Sequence, residues 1–452
     1  MLGLAVWFGR ISAVGIQAGS PDFEYFYKAG AWLLKHGNLD PGYDLTDGRV
    51  QERDTLRWYL PFASRFMTLF ALLPYRAAGY AWLAMNLAAM FGTLWLVGRY
   101  LSGLPPRDWP VTQLLPLALL TVYWRWEFQL NQINALTLLL VVGSFVCWER
   151  GRRVVSGLWL GLAILLKVTP ALLALWFVLK RQYRTAAATL VTVVLLGPAM
   201  DLVWLGPSAT ADAYRAWVRN AVTTGSQRGL ILAQCEMDWR NQGLGAVLAR
   251  WLYPANYNTH FDNDPRVQAD YASPETLTLN IATLPLEAVA GLATIVIGLS
   301  LIGLIWLARR PARAMTLWEL RFEWALFVLA MLWLMPVLRR YHMIWALPAV
   351  SLLGAGVHYS GRSTRWSRLA LACIGAAVVL QLTLLSHRLE AMGALPASVA
   401  ALALPLVVLL RRLKRAPDAL PHAHCAPPQT ARVVLVADGD RAPPTASQAA
   451  HG

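Results

Sequence analysis

Two acids, Asp22 and Glu24, stand in the stretch SPDFEYFYKAG, directly after the first apolar run of a chain that otherwise avoids acids. A carboxylate at the mouth of a membrane helix is partly desolvated, which raises its proton affinity and makes it a better base. The structural alternative is that Asp22 caps a helix over FEYFYKAGAWLLKHG, with Ser20 and Pro21 ahead of it. His342 is the second group, in MPVLRRYHMIWALP, where Arg339, Arg340, Tyr341 and His342 interrupt two apolar runs. Cations there need an anionic partner, either a lipid headgroup or a bound phosphate. Lys167, in AILLKVTPALL, is a lone ammonium between apolar residues. A charge at membrane depth is costly, so it marks a site unless its stem snorkels to the interface.

Amides form the remaining cluster. Gln132 and Asn134 lie in NQIN, after Trp124, Arg125, Trp126 and Glu127, while Asn241 and Gln242 lie in RNQGL. Amide side chains both donate and accept, which suits sugar hydroxyls or the capping of a helix, the second being the expectation for Asn131. The sequence has no glycine-rich phosphate cradle and no Ser/His/Asp order of a hydrolase. No metal-ligand spacing stands out either, so the chemistry is expected to need no metal and no cofactor.

Those groups have to be carried by membrane helices. Hydrophobic residues make up 57% of the chain and charged ones only 14%, against roughly 25% in an ordinary soluble domain. The apolar runs approach the roughly 20 residues that span a bilayer, so the fold class is an all-α polytopic membrane protein. The formal charge of +15 comes from short basic clusters between apolar runs, the positive-inside pattern, and does not point to nucleic acid. Four cysteines, Cys147, Cys235, Cys373 and Cys425, show no disulfide framework. The opening MLGLAVWFGRISAVGIQAG lacks a cleavage site and reads as a retained first helix, with the true start placed here or upstream.

Placing the basic clusters in the cytoplasm puts helices near 1–19, 77–98, 111–125, 132–148, 154–166, 168–180, 185–205, 282–308, 321–338, 343–360, 367–386 and 393–410. That is about twelve, with both termini inside. The pair 154–166 and 168–180 is short and reads as a hairpin with Lys167 and Pro170 near its turn, Lys167 facing protein rather than lipid. Residues 1–410 form the membrane domain, with long external loops at 20–76 and 206–281. The stretch 411–452, Ala/Pro-rich toward its end, is expected to be a disordered cytoplasmic tail.

In order along the chain, DFEYFYKAG (22–30), Tyr59/Pro61 with ALLP (71–74), NQINALTLLLVV (131–142), GLWLGLAILLKVTPALLALWFVLKRQYR (157–184), NQGLGAVLARWL (241–252) and MPVLRRYHMIWALP (335–348) resemble the family 87 glycosyltransferases of the GT-C class. The family includes polyprenyl-phosphate-mannose-dependent alpha-1,2-mannosyltransferases of mycobacteria. The resemblance, over roughly residues 20–360, implies a GT-C-type bundle of about 12 transmembrane helices with active-site loops on the extracytoplasmic face of the inner (plasma) membrane. It implies a polyprenyl-phosphate sugar donor, with mannose the expected sugar, and a lipid-linked or glycan acceptor. It also implies that the acid opening the D-F-x-x-x-Y element is the general base, here Asp22, with Tyr27 closing the motif. Three departures leave sugar and acceptor open: Asn131 stands where Gly is common, Gly243 where Ser is, and Met335-Pro336-Val337-Leu338 where Ser-Pro-x-Ser is.

The expected site therefore has Asp22 and His342 as catalytic residues and Lys167, Arg339 and Arg340 on the donor phosphate. Glu24, Tyr27, Gln132, Asn134, Asn241 and Gln242 are expected to contact substrate. A transporter or flippase for a lipid-linked sugar or another anion is the alternative from a different class. Its polar groups would be spread toward the membrane midplane rather than gathered at one face.

Overall fold

Every regular element among the described residues is a helix. The computed structural model describes residues 2–19, 21–39, 59–223, 225–234, 237–257 and 277–415. The first helices are α1 (Leu2–Ala18), α2 (Pro21–His36), α3 (Pro61–Ala71) and α4 (Tyr75–Leu96), then α5 (Trp109–Leu119), α6 (Thr121–Leu130) and α7 (Asn134–Glu149). The middle third holds α8 (Arg153–Leu166), α9 (Ala171–Leu179), α10 (Tyr183–Val194), α11 (Met200–Leu205), α12 (Pro207–Thr223), α13 (Gln227–Leu232) and α14 (Leu244–Leu252). The last third holds α15 (Leu286–Leu307), α16 (Leu317–Leu334), α17 (Leu347–Ser360), α18 (Arg365–Leu380), α19 (His387–Ala391) and α20 (Ala394–Arg415).

Most of the helix positions expected from the apolar runs are occupied by helices, displaced by a few residues at their ends. The expected count of about twelve spans is not reached by length and composition alone. Among the described residues six helices are long and apolar enough to cross a membrane, or seven if the bent pair α6–α7 is one span. The reason is partly length: α8 and α9, at 14 and 9 residues, reach about 21 and 14 Å against roughly 30 Å of hydrocarbon. It is also charge, since α16 carries Glu319, Arg321 and Glu323 on one apolar helix. These are paired inside the protein: Arg321 forks onto Glu149, Glu319 takes Arg310, and Glu323 meets Lys180.

The two segments expected as loops also contain helices, α2 and α3 in the first and α12 to α14 in the second. The tail expectation is adjusted at its start, because α20 continues to Arg415, and the remainder of the tail lies outside the described residues.

Three local features position the site. Asn131 adopts φ 51°, a left-handed conformation Asn tolerates, and ends α6, so that α7 leaves at 120°. The Trp82 indole N–H donates to the Asn131 carbonyl at 2.8 Å, and the Ser12 hydroxyl donates to its side-chain oxygen. Below α2, Phe23, Phe26 and Trp82 form a buried aromatic cluster with Met67 that seats α2 against α3 and α4. Finally, α8 ends where Lys167 turns to extended backbone (φ −157°, ψ 123°), which brings that side chain to the α6–α7 break.

Candidate functional site

Asp22 is in the first turn of α2, which starts at Pro21, so it is not the cap. An anionic side chain there is favoured by the helix dipole. Its carboxylate accepts from the Gln132 amide, one residue past the left-handed Asn131. Two residues further, Asn134 receives the Lys167 ammonium on Oδ1 at 2.6 Å and donates from Nδ2 to Glu127 at 2.8 Å. The other Glu127 oxygen accepts the Ala135 N–H at 2.9 Å. Asp22 and Glu127 both act electrostatically on Lys167, which sits 5.9 Å from the Trp345 ring centroid. The break between α6 and α7 thus gathers a cation and two carboxylates from α2, α6 and the α8–α9 turn.

His342 closes the other side. It lies in a 3-10 turn (Arg340–Ala346) leading into α17, is buried, and feels the charges of Lys167 and Arg339. Its Nδ1 accepts the Arg339 backbone N–H at 2.9 Å, so the neutral ring carries its proton on Nε2 and offers it as a donor.

The other expected contacts divide. Gln132 and Asn134 belong to the cluster, and both are buried. Glu24 is not turned to it: it pairs with Lys28 at 3.0 Å and lines, with Tyr27, Tyr75 and Arg76, a separate cavity of about 400 Å³ beside α1. Tyr27 donates to the Leu73 carbonyl at 2.9 Å and so ties α2 to the α3–α4 turn. Asn241 and Gln242 are fully buried and bonded to backbone, although the Gln242 Oε1 has no hydrogen-bond partner among the described residues. Asn241 accepts from Gly243 and Leu338 N–H groups at 2.8 and 3.1 Å, and Gln242 donates its backbone N–H to the Leu338 carbonyl at 2.7 Å and its side-chain amide to the Trp239 carbonyl at 2.6 Å. They brace residues 335–338, just before His342, rather than project from it.

The arginines are likewise committed. Arg340 forks onto the buried Glu390 and lies between the Trp126 and Trp239 rings, at 4.9 and 5.3 Å. Arg339 reaches Asp238 at 3.4 Å, and Arg240 reaches the same carboxylate at 3.3 Å. Burial pushes the Asp238 carboxyl up, yet Arg339 and Arg240 together hold it below its ordinary value. Burial raises Glu390 above its ordinary value against the pull of Arg340. Of the three cations expected at a phosphate, Lys167 is the one brought to the Asp22 cluster.

Four contributors were given no role by the sequence: Glu127, Asp238, Glu390 and Arg250. Glu127 had a signal, an acid inside an apolar run next to NQIN. Arg250 is fully buried and donates to the carbonyls of Ala391, Met237, Asp238 and Asn241, a knot that no local pattern announces.

With this geometry in place, the chain can be set beside known proteins. Residues 58–268 match the family described as Glycosyltransferase family 87, the family its motifs resemble. A Mycobacterium tuberculosis protein named polyprenol-phosphate-mannose-dependent alpha-(1-2)-phosphatidylinositol mannoside mannosyltransferase is 32% identical over 179 residues, 35% of this chain and 38% of its own. The Mycolicibacterium smegmatis protein of the same name is 36% identical over 103 residues, 23% and 22% of the two chains. A second from that organism, named for phosphatidylinositol pentamannoside, is 28% identical over 156 residues, 34% and 36%. The aligned part spans well under half the length of each of these relatives. No solved structure matches. The matched stretch contains Gln132, Asn134, Lys167, Asn241 and Gln242, whereas Asp22 and His342 lie outside it.

Proposed function

We propose that the protein is a membrane glycosyltransferase that moves a sugar, mannose in the first instance, from a polyprenyl-phosphate donor to a lipid-linked or glycan acceptor at the extracytoplasmic face. The observation that carries this is the convergence of Asp22, Lys167 and His342, three groups from distant parts of the chain, around the α6–α7 break. The family match over residues 58–268 supplies the reaction class.

In this mechanism Asp22 takes the proton of the acceptor hydroxyl as that oxygen bonds to the anomeric carbon. The bond from that carbon to the phosphate oxygen breaks in the same step, and polyprenyl phosphate leaves with the electron pair. Gln132 orients the base by donating to the Asp22 carboxylate. Lys167 and the Nε2–H of His342 face the charge that develops on the leaving phosphate, an electrostatic effect that is often the largest in such steps. Lys167 is itself aimed by Asn134, and Asn134 by Glu127. One displacement inverts the anomeric carbon, so a beta-linked donor yields an alpha-linked product. Asn241 and Gln242 act at one remove, by fixing the segment that carries His342.

Purified protein in lipid, incubated with a panel of polyprenyl-phosphate sugars and glycan or lipid acceptors, should release polyprenyl phosphate with one donor. Absence of release with every donor and acceptor, or release with retention at the anomeric carbon, would overturn the proposal.

A further inference from the structure

In the proposed transfer step Lys167 and His342 face the leaving phosphate, while Trp345, a neighbour of both, has no part. Trp345 stands three residues after His342 in the same 3-10 turn, Arg340–Ala346. With three residues per turn, side chains at i and i+3 eclipse, so the imidazole and the indole share one face of the turn. The α8–α9 turn meets that face: the Lys167 ammonium lies 5.9 Å from the Trp345 ring centroid, and its charge acts on His342.

The Trp345 indole is fully buried, and its Nε1–H has no hydrogen-bond partner among the described residues. An indole nitrogen only donates, and a buried donor without an acceptor is costly and rare enough to call for an explanation. Burial alone does not single Trp345 out, because the Trp124 indole on α6 is equally buried and unpartnered, stacked on Phe128. Position does. The two groups beside Trp345 can only donate: Lys167 has no acceptor atom, and the acceptor of His342, Nδ1, already takes the Arg339 N–H. An ionised phosphate, whose oxygens only accept, suits three such donors, whereas a sugar hydroxyl would find no acceptor among them for its own proton. A second unpartnered atom of the cluster has the opposite character, since Gln132 Oε1, on the side chain that donates to Asp22, can only accept. Donors on one side and acceptors on the other match a leaving phosphate and an attacking hydroxyl.

We infer that the indole N–H of Trp345 donates to a non-bridging oxygen of the donor phosphate, which makes Trp345 a third phosphate ligand beside Lys167 and His342. This rests on the transferase reading above and adds a residue that the reading does not use. The bond persists after the sugar has left, so polyprenyl phosphate alone is enough to probe it.

The full chain in neutral detergent is titrated with polyprenyl phosphate and with the matching polyprenol, and bound lipid is counted by native mass spectrometry. The parent should prefer the phosphate. Trp345→Phe keeps an aromatic ring and removes the N–H, so it should weaken binding of polyprenyl phosphate by at least about tenfold, the loss of one hydrogen bond to a charged group, and leave polyprenol unchanged. Trp124→Phe, which deletes the same atoms at an equally buried position, should alter the binding of neither lipid. With the tryptophan nitrogens of the parent labelled for NMR, one indole N–H resonance of the 21 should move downfield with polyprenyl phosphate and stay in place with polyprenol, a readout independent of how any variant folds. Undiminished binding of polyprenyl phosphate by Trp345→Phe, a loss shared equally by Trp124→Phe or by polyprenol, or indole resonances that respond alike to the two lipids would each overturn the assignment. A parent with no preference for polyprenyl phosphate over polyprenol would overturn the transferase reading along with it.

Discussion

Replacing Lys167 by Met removes one charge and keeps an apolar stem of similar length. The ammonium now donates to Asn134 at 2.6 Å, and Glu127 and Asp22 lie close enough to act on it electrostatically. A charge-assisted hydrogen bond is worth about 1.5–3 kcal/mol, and each 1.36 kcal/mol is about tenfold. If the same ammonium faces the leaving phosphate, kcat/KM for the donor should fall roughly 10- to 160-fold. Lys167→Arg keeps the charge but not the compact geometry that meets Asn134, so it should recover only part of the loss. The assay is release of polyprenyl phosphate under limiting donor, with the melting temperature followed in parallel. A folded Lys167→Met protein with kcat/KM within twofold of the parent would refute the reasoning that puts this cation on the donor.

Three further outcomes follow from the packing. Glu390→Ala leaves Arg340 buried without its carboxylate, a change that costs about 3–5 kcal/mol and should appear as a large drop in melting temperature. Gly157→Leu forces side-chain atoms into Ala188 and the Thr185 carbonyl, and overpacking of this kind costs about 1–3 kcal/mol, read by the same melt. Asp238, held below its ordinary value by Arg339 and Arg240, contributes stability above the unfolded aspartate value near 3.9, which is lost as pH falls through its lower folded value. The stability gap between the parent and Asp238→Asn should therefore be full at neutral pH and shrink below about pH 4; a gap that widens toward acid would contradict the pairing.

The helices were legible because apolar runs of the right length have few other fates in a bilayer. α4 and α15 stand within a few residues of the positions expected. How many helices are long and apolar enough to span was less legible, since α16 hides Glu319, Arg321 and Glu323 in internal pairs and α8 and α9 are each shorter than a full span. Within the site, Asp22, Lys167 and His342 stood out as charged groups in apolar surroundings. Arg340 and Arg339 stood out for the same reason, but their partners, Glu390 and Asp238, lie 50 and 101 residues away, so nothing local could show that they were already engaged. Asn241 looked like a contact for sugar, and only the fold shows its bonds running to Gly243, Leu338 and Pro336.

Asp22→Asn bears most directly on the central claim. The substituted amide keeps an oxygen for Gln132 to donate to, so the first turn of α2 and donor binding should persist. Removal of a general base lowers turnover by about 10²–10⁴-fold. The account predicts that this variant inserts, binds polyprenyl-phosphate sugar like the parent, and loses transfer by that factor. Transfer at the parental rate, with donor binding intact, would contradict it.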